Sequence, residues 1–342
     1  MDESAFIGGR QATLQDVSRR AGLSPATVSR VLNGHPGVRP ETRRRVDEAV
    51  RALDYVPHFA AQALAGRAVD TLAVIFPVMA SGFFAEVLDG IDEAAAAAGF
   101  QINTLLTRHR RDEQRALAQS LGKGRAAGIL LMNVMIDPAV VAMACRQDAP
   151  LVVLDTPVRK AEVPTVLVDN FGAAQAAVRH LADVGCRRVA VISGPADNYD
   201  AQQRLRGCRR AARDAKPHAL ELDVWPGEFH EDRAHSEVRR RLAEGERPDA
   251  IFGLNDDMAI GARQALLEAG LRVPEDVRLV GFDNVAASRH LGLTTVRLPM
   301  RELGREACRL AVAAARGKDV STSPKVLDCE LIVRHSTTGA SQ

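Results

Sequence analysis

The sequence has little of what secreted and membrane-embedded proteins need. No apolar run in its 342 residues approaches the roughly 20 residues that cross a bilayer. The N-terminal segment MDESAFIGGRQ carries acidic residues and no apolar stretch, so we expect no signal peptide. The cysteines Cys145, Cys186, Cys208, Cys308 and Cys329 are scattered without a CxxC pair. This pattern disfavours a disulfide framework or a structural zinc site and predicts a reduced, cytoplasmic setting.

The sequence also lacks the signatures of common enzymes. No GxGxxG follows the first predicted strand, and GKGRAAG at 122–128 lacks the spacing and the Lys-Ser/Thr of a phosphate-binding loop. GxSxG and HExxH do not occur, and the nine histidines do not cluster at ligand spacing. We therefore predict no catalytic activity, no cofactor and no metal.

Positive charge is concentrated near the N-terminus, although the net charge of the whole chain is only +2. Between Arg10 and Arg51 nine arginines stand against four acidic residues, a local excess of five positive charges. A basic segment on an otherwise balanced chain is typical of nucleic-acid binding.

The segment LQDVSRRAGLSPATVSRVLNG, residues 14–34, contains two short helical patterns joined by a tight turn. Thr13 is predicted to cap the first helix, and Gly22 to end it. Ser24 is predicted to cap the second helix, with Pro25 in its first turn. Two such helices form a helix-turn-helix, whose second helix enters the major groove of DNA.

The outward face of the second helix has the side chains that DNA reading requires. It carries Ala26, Thr27, Ser29 and Arg30. Small residues allow close approach, hydroxyl groups contact phosphates, and arginine reads guanine with two hydrogen bonds. A third helix is predicted from about Pro40 to Leu53, which completes a small core. A basic helical hairpin without a DNA role is the alternative.

From Thr71 onward, short apolar strands alternate with helical patterns. Strands such as TLAVIFP, AGILLMN, LVVLD, RVAVIS and VRLVGFD are separated by amphipathic helices. Apolar strands that alternate with helices predict parallel, doubly wound sheets, and about 270 residues can hold two of them. A ligand is then expected in the crevice at the carboxyl ends of the strands.

The sequence as a whole resembles the lactose-repressor family of bacterial transcription regulators. The resemblance runs from TLQDVSRRAGLSPATVSRVLNG through VRPETRRRVDEAVRALDYVPHFAAQALA to PEDVRLVGFDN and LTTVRLPMRELGREA. It implies an all-α helix-turn-helix head, a hinge helix with its linker, and an α/β bilobed core like a periplasmic binding protein. The expected boundaries are 1–56 for the head, 57–70 for the hinge and 71–342 for the core. Within the core, the N-subdomain takes about 71–169 and 299–325, and the C-subdomain about 170–298 and 326–342.

The resemblance also implies how the protein contacts DNA. Leu64 of the hinge corresponds to a leucine that is wedged into the minor groove, which kinks the duplex. His58 and Gln62 depart from the asparagine and arginine that the family often has, although glutamine can still read a minor groove. The residues expected to contact DNA are Thr13, Ser24, Pro25, Ala26, Thr27, Ser29, Arg30, Asn33, His58, Ala61, Gln62 and Leu64.

For the effector pocket, the resemblance implies polar groups at strand ends and an aromatic wall. The expected ligand-binding residues are Ser81, Phe84, Asp155, Asn198, Asp200, Arg204, Phe229, Asn255 and Asp283. Several alternatives stay open: Arg204 could pair with Asp200 on its own helix, and Asp283 could merely begin a turn. Phe84 could belong to the core, and Asp256 is expected to cap a helix.

These observations predict a repressor that binds a pseudo-palindromic DNA operator as a homodimer. The segment RHSTTGASQ carries no leucine heptad, which favours a dimer over a tetramer. A small-molecule effector controls DNA binding allosterically, and carboxylates with a guanidinium and an aromatic face favour a neutral sugar. A purine, nucleoside or sugar phosphate is the alternative. A sugar-processing enzyme with a fused DNA-binding head is the remote alternative, which turnover of a bound ligand would favour. A free periplasmic binding protein would share the core, but it would need a signal peptide and would lack the DNA-binding head.

Overall fold

A computed structural model describes residues 12–32, 35–53, 55, 70–77, 82–107, 126–132, 141, 150–158, 163–216 and 219–338. The described residues up to Asp70 belong to one compact unit, and those from Thr71 to Thr107 and from Ala127 onward form a second. Each unit is described by itself. Within this part of the chain, no helix is long and apolar enough to cross a membrane.

The N-terminal unit contains the three helices that the sequence predicted. They are α1 (Leu14–Ala21), α2 (Pro25–Leu32) and α3 (Pro40–Ala52). Thr13 caps α1 in a reciprocal capping box, in which its hydroxyl accepts the amide of Asp16 and the Asp16 carboxylate accepts the amide of Thr13. Gly22 ends α1 with a φ of 62°, a left-handed conformation that glycine adopts without strain. Ser24 accepts the amide of Thr27 at 3.2 Å, as expected for a cap.

A small apolar core holds these helices together. Its buried side chains are Val17, Ala21, Val28, Val31, Val46, Ala49 and Tyr55. Val50 and Leu53 pack against this core while only partly buried. Arg45 of α3 donates to the carbonyl of Ala21 at 2.7 Å, so it satisfies a carbonyl that the end of α1 leaves unpaired. Gly22 and Arg45 therefore both stabilise the turn between α1 and α2.

The second unit contains two sheets, each six-stranded in the described residues. The first sheet has the spatial order β11-β5-β4-β3-β1-β2, with every neighbour parallel. Its strands are β1 (Thr71–Pro77), β2 (Gln101–Thr107), β3 (Gly128–Met132), β4 (Leu151–Leu154), β5 (Thr165–Val168) and β11 (Lys325–Leu327). All residues of β3, β4 and β5 are buried, as expected when helices cover both faces of a parallel sheet.

The second sheet has the order β12-β10-β9-β8-β6-β7, parallel except for β12 against β10. Its strands are β6 (Arg188–Ser193), β7 (Glu221–Pro226), β8 (Ala250–Gly253), β9 (Arg278–Asp283), β10 (Thr294–Arg297) and β12 (Glu330–Ile332). The helices of this unit are α4 (Gly82–Ala97), α5 (Asn170–Asp183), α6 (Tyr199–Asp214), α7 (Glu231–Ala243), α8 (Asp256–Glu268), α9 (Ala286–His290), α10 (Met300–Ala315) and α11 (His335–Thr338).

The chain passes between the two sheets three times in the described residues. It crosses through α5 after β5, returns through α10 after β10, and crosses again between β11 and β12. Val326 pairs with Leu167 in the first sheet, so the third passage begins just after the position expected from the sequence. We refer to each sheet with its helices as the first and the second lobe.

Helices α4 and α10 pack closely in the first lobe because each has a glycine at the crossing. A Cβ atom on Gly90 would lie 2.1 Å from the carbonyl oxygen of Arg301, and one on Gly304 would lie 2.1 Å from that of Val87. Arg301 then donates to Glu86, at 2.7 Å, and to two further carboxylates of α4. Backbone contact and exposed ion pairs together fix this helix pair.

Candidate effector site and DNA-contacting surface

The second lobe brings four of the expected ligand-binding residues to one edge of its sheet. Asp283 ends β9, Asn255 follows β8, and Phe229 follows β7. Arg204 reaches the same edge from α6: its guanidinium carbon lies 5.9 Å from the centre of the Phe229 ring. These positions are the carboxyl ends of parallel strands, where doubly wound sheets bind ligands.

Arg204 is the centre of this arrangement. It is only 4% exposed, and its Nη1 lies 3.4 Å from a carboxylate oxygen of Asp283. The same nitrogen donates to the carbonyl of Leu254 at 2.6 Å, and the guanidinium carbon lies 3.9 Å from the centre of the Phe282 ring. Arg204 therefore pairs with Asp283 across the sheet rather than with Asp200 on its own helix.

Asn170, which was not among the predicted ligand-binding residues, joins two charged residues of the site. Its Oδ1 accepts from Arg204 Nε at 2.7 Å, and its Nδ2 donates to Asp200 Oδ1 at 2.9 Å. Asn170 is 2% exposed and begins α5, just where the chain leaves the first sheet. The signal in the sequence was a polar residue two positions after a buried strand.

Asp155 is the carboxylate that the first lobe contributes. It follows β4, is 4% exposed, and adopts a left-handed backbone conformation with a φ of 60°. Its Oδ1 is buried without a hydrogen-bond partner in the structure. The charges of Arg204 and Asp200, which belong to the second lobe, act on its carboxyl. The site therefore includes polar groups of both lobes.

Burial dominates the electrostatics of these carboxyl groups. Desolvation raises the pKa of Asp155, and the positive charge of Arg204 opposes this shift. Part of the Asp200 surface is accessible. Desolvation and the neighbouring Asp155 nevertheless raise the pKa of Asp200 well above its ordinary value. Desolvation also raises the pKa of Asp283, which Arg204 again opposes. Three enclosed carboxyls around one guanidinium make a site rich in hydrogen-bond acceptors.

The two predicted aromatic residues have different environments. The ring of Phe229 covers Gly194 at the end of β6, where a Cβ atom would lie 2.4 Å from it. Phe84 packs against Phe83 and Phe76, with ring centres 5.2 and 6.1 Å away, so its described contacts lie in the first lobe's own aromatic cluster. The structure thus places Phe229 beside the polar groups and Phe84 on the core side of its lobe.

The two asparagines predicted for the site cap helices. Asn198 Oδ1 accepts the amide of Ala201 at 2.8 Å, which caps α6. Asn255 Oδ1 accepts the amide of Met258 at 2.9 Å, which caps α8, while its Nδ2 donates to the Phe229 carbonyl at 3.3 Å. Both residues consequently position α6, α8 and the Phe229 turn at the edge of the site.

The expectation that Asp256 caps a helix is wrong, because Asn255 occupies the capping position. Asp256 is fully buried, and its two oxygens accept the Val285 amide at 2.8 Å and the Thr295 hydroxyl at 2.6 Å. Burial raises the pKa of Asp256 to about 6. Its carboxyl group therefore fixes the turn that follows Asp283 rather than the start of α8.

Left-handed backbone conformations are concentrated at this site. Among the described residues, the non-glycine residues with positive φ are Asp155, Glu228, Phe229, Asp283 and Asn284. Such conformations each cost on the order of 1–3 kcal/mol and persist at ligand sites where the surroundings fix them. One surrounding group is visible: Arg334 donates to the Asn284 side chain at 2.7 Å.

The described part of the expected DNA-contacting surface lies on α2 and its cap. Ser24, Pro25, Ala26 and Arg30 are exposed, while Thr27 and Ser29 are partly exposed. The Thr27 and Ser24 hydroxyls are 2.9 Å apart. Thr13, also predicted to contact DNA, uses its side chain to cap α1. The predicted residues that lie outside the described residues are Asn33, His58, Ala61, Gln62, Leu64 and Ser81.

The chain matches two family models. Residues 13–58 match the bacterial regulatory proteins of the lacI family, and residues 178–337 match a periplasmic binding protein-like domain. Among curated proteins, it is 34% identical over 336 residues to the HTH-type transcriptional regulator CelR of Thermobifida fusca, covering 96% of this chain and 98% of that protein.

Solved structures give the same result. The lac repressor dimer bound to operator and an anti-inducer superposes with a TM-score of 0.82 and 27% identity, covering 97% of this chain and all of that one. The complex of the regulator CelR with cellobiose has a TM-score of 0.72 and 32% identity, covering 95% of this chain and 99% of the other. The resemblance seen in the sequence is confirmed: this chain belongs to the lacI family of bacterial regulatory proteins and is a DNA-binding transcriptional regulator with an effector-binding core.

Proposed function

We propose that this protein is a repressor that binds a pseudo-palindromic operator as a homodimer and responds to a neutral sugar. In this proposal residues 1–56 form the DNA-binding head, 57–70 the hinge, and 71–342 the effector-binding core. Leu64 is the minor-groove wedge of the hinge. The protein acts in the cytoplasm, where its operator lies, and it binds the sugar without converting it.

The observation that supports a neutral sugar is the surplus of hydrogen-bond acceptors around Arg204. Asp155, Asp200 and Asp283 surround Arg204, whose guanidinium already contacts Asp283, Asn170 and the Leu254 carbonyl. A phosphate or dicarboxylate would oppose these carboxylates at short range, which costs several kcal/mol. Sugar hydroxyls can donate to them, and the apolar face of a sugar ring can pack on Phe229. The CelR complex with cellobiose supports the same class of ligand.

Isothermal titration calorimetry tests the effector class. Cellobiose is the first probe, followed by other neutral mono- and disaccharides, sugar phosphates, nucleosides and purine bases. We expect a neutral sugar to bind, and the affinity to fall at least tenfold (about 1.4 kcal/mol) in Asp283→Ala. Asp214→Ala, which changes an exposed aspartate on α6, is the matched control. Tight binding of a purine or a sugar phosphate without any response to neutral sugars would contradict the sugar while leaving the regulator intact.

Gel shifts on the protein's own promoter region test the DNA-binding head. Both halves of an inverted repeat should be needed, and Arg30→Ala should weaken binding by about 1–3 kcal/mol and relax the preference at one base pair of each half-site. Arg51→Ala, which removes an exposed arginine of α3, is the control. If Arg30→Ala lost the same affinity on random DNA, Arg30 would contact phosphate and not a base.

We further propose that the sugar controls the operator through the lobes. Closure of the cleft around the effector would change how the two hinge segments of a dimer meet, with a coupling of about 1–3 kcal/mol. Release or capture of DNA depends on which state the sugar prefers. Gel shifts with and without the bound sugar give the direction.

A further inference from the structure

The turn that carries Asp283 has an uncommon backbone conformation. Asp283 has a φ of 113° and Asn284 a φ of 63°. Positive φ values are unfavourable for residues with a side chain, although asparagine and aspartate tolerate the left-handed helical region better than most. The φ of Asp283 lies beyond even that region, so groups outside the turn must hold this residue in place.

Arg334 supplies one of these groups from the C-terminal part of the chain, two residues after β12. Its Nη2 donates to the side-chain oxygen of Asn284 at 2.7 Å. Its Nη1 donates to the carbonyl of Leu293 at 2.7 Å, and its backbone amide donates to the Thr294 hydroxyl at 2.9 Å. Arg334 is thus anchored at the start of β10, and from there its guanidinium reaches the turn after Asp283.

Asp256 holds the next residue of the same turn. Its Oδ2 accepts the Val285 amide at 2.8 Å, and its Oδ1 accepts the Thr295 hydroxyl at 2.6 Å. A Cβ atom on Gly281 would lie 2.2 Å from Asp256 Oδ1, so glycine at this position makes room for the carboxyl group. Asn284 and Val285 are therefore each bonded to a charged or ionisable side chain from another part of the second lobe.

The ion pair of Asp283 does not by itself fix the direction of its carboxyl group. Arg204 Nη1 lies 3.4 Å from Asp283 Oδ1, which is longer than usual for a charge-assisted hydrogen bond. The bonds that hold the two following residues are shorter, at 2.7 and 2.8 Å. The backbone turn therefore has the larger part in orienting Asp283 at the edge of the sheet.

We propose that Arg334 is a positioning residue of the effector site: through Asn284 it holds the turn that directs the Asp283 carboxyl toward the ligand. This inference rests on the proposed function of Asp283 as an effector contact. A side chain that folding has already ordered binds a ligand more tightly than one that the ligand must order. Because Arg334 follows the third crossing between the lobes, effector affinity then depends on how the C-terminal segment packs on the second lobe.

Calorimetry with cellobiose, the first probe of the proposed effector class, tests the positioning. Arg334→Met removes both side-chain donors, and the affinity should fall about threefold to tenfold, the equivalent of one hydrogen bond. Asn284→Gly should cause a similar loss, since glycine adopts the left-handed conformation without strain but offers Arg334 no acceptor. The double variant should bind no more weakly than Arg334→Met, because the two residues act through one bond. Asn284→Asp keeps an acceptor for Arg334 and should restore nearly the wild-type affinity.

The control and the contradicting outcomes are equally specific. Arg289→Met removes an exposed positive charge near Arg334 on α9 and should leave the affinity unchanged. If Arg334→Met lowered the urea midpoint of unfolding but not the affinity, Arg334 would be structural only and the inference would be overturned. Additive losses in the double variant would also overturn it, because Arg334 would then act through the Leu293 carbonyl. If Arg334→Met does not fold, the contrast between Asn284→Gly and Asn284→Asp decides.

Urea unfolding of the ligand-free protein separates this inference from the proposed function. If Arg334 holds Asp283 toward Arg204, Asp283→Ala should lower stability less in the Arg334→Met background than in the wild type. Equal losses in the two backgrounds would overturn the positioning role, whether or not a sugar binds. If no neutral sugar binds but the two losses differ, the effector class is wrong and the positioning of Asp283 stands.

Discussion

The carboxyl edges of the two sheets provide different kinds of polar group. In the second lobe Arg204 contacts Asp283 and two further acceptors, and Asp256 accepts two hydrogen bonds. In the first lobe, Asp155 follows β4 with one oxygen buried and without a partner. The polar groups of the second lobe thus hold one another in place, whereas the first lobe supplies an acceptor that a ligand can satisfy.

This difference shows how one fold can be stable and still change when a ligand binds. A buried polar group whose partners are all internal contributes to the fold, and its removal leaves those partners unsatisfied. A buried acceptor without a partner costs free energy until a ligand bonds to it, so ligand binding and lobe closure become coupled. We therefore expect substitutions in the second lobe to affect stability and effector affinity together, and substitution of Asp155 to separate them.

Arg204→Ala should have the largest effect. It leaves Asp283 buried without its cation and removes the donor to Asn170 and to the Leu254 carbonyl. Breaking a buried pair of this kind costs about 3–5 kcal/mol of unfolding free energy, and effector affinity should fall at least about tenfold. Urea unfolding measures the first quantity and calorimetry the second. Arg210→Ala on the same helix breaks an exposed pair with Asp214 and should cost only about 0–1 kcal/mol. Equal losses in the two variants would show that the second lobe is not organised by Arg204.

Asp256→Ala should have an intermediate effect that depends on pH. It removes the acceptor of the Val285 amide and of the Thr295 hydroxyl, which should cost about 1–3 kcal/mol near pH 5. Burial raises the pKa of Asp256 to about 6, so the folded protein holds this proton after the unfolded chain has lost it. The contribution of Asp256 to stability therefore falls as pH rises from about 4 to about 6.

Urea unfolding of wild type and Asp256→Ala should show a smaller difference at about pH 7.5 than at about pH 5. The exposed Asp214→Ala variant should show no such trend. A gap between wild type and Asp256→Ala that widens with pH would mean that the carboxylate, not the carboxylic acid, is the form that stabilises the turn after Asp283.

The sequence was sufficient where structure depends on neighbours along the chain. The Thr13 and Ser24 caps, the Gly22 turn and the alternation of buried strands with helices all follow from local patterns. The roles of Asp256 and Asn170 do not, because their partners lie 29 to 39 residues away for Asp256 and 30 to 34 residues away for Asn170. From the sequence, Asp256 beside the start of α8 is predicted to cap this helix. The structure shows that Asn255 occupies the capping position. Resemblance indicated which residues meet at the site, and only the fold shows which of them are already bonded.

Asp155→Asn should have the smallest effect on stability and still reduce effector binding, which is the sharpest test of the comparison. Its Oδ1 has no partner to lose, so the substitution removes no hydrogen bond at that atom. The unfolding free energy near neutral pH should therefore change by no more than about 0.5 kcal/mol, or increase. Effector affinity should fall at least about tenfold, because the amide replaces a carboxylate acceptor that faces the ligand. Urea unfolding and calorimetry on the same preparation give both values, with Asp214→Asn as the control. A stability loss as large as that of Asp256→Ala would mean that Asp155, like the polar groups of the second lobe, is held by internal hydrogen bonds. The contrast between the two lobes would then fail.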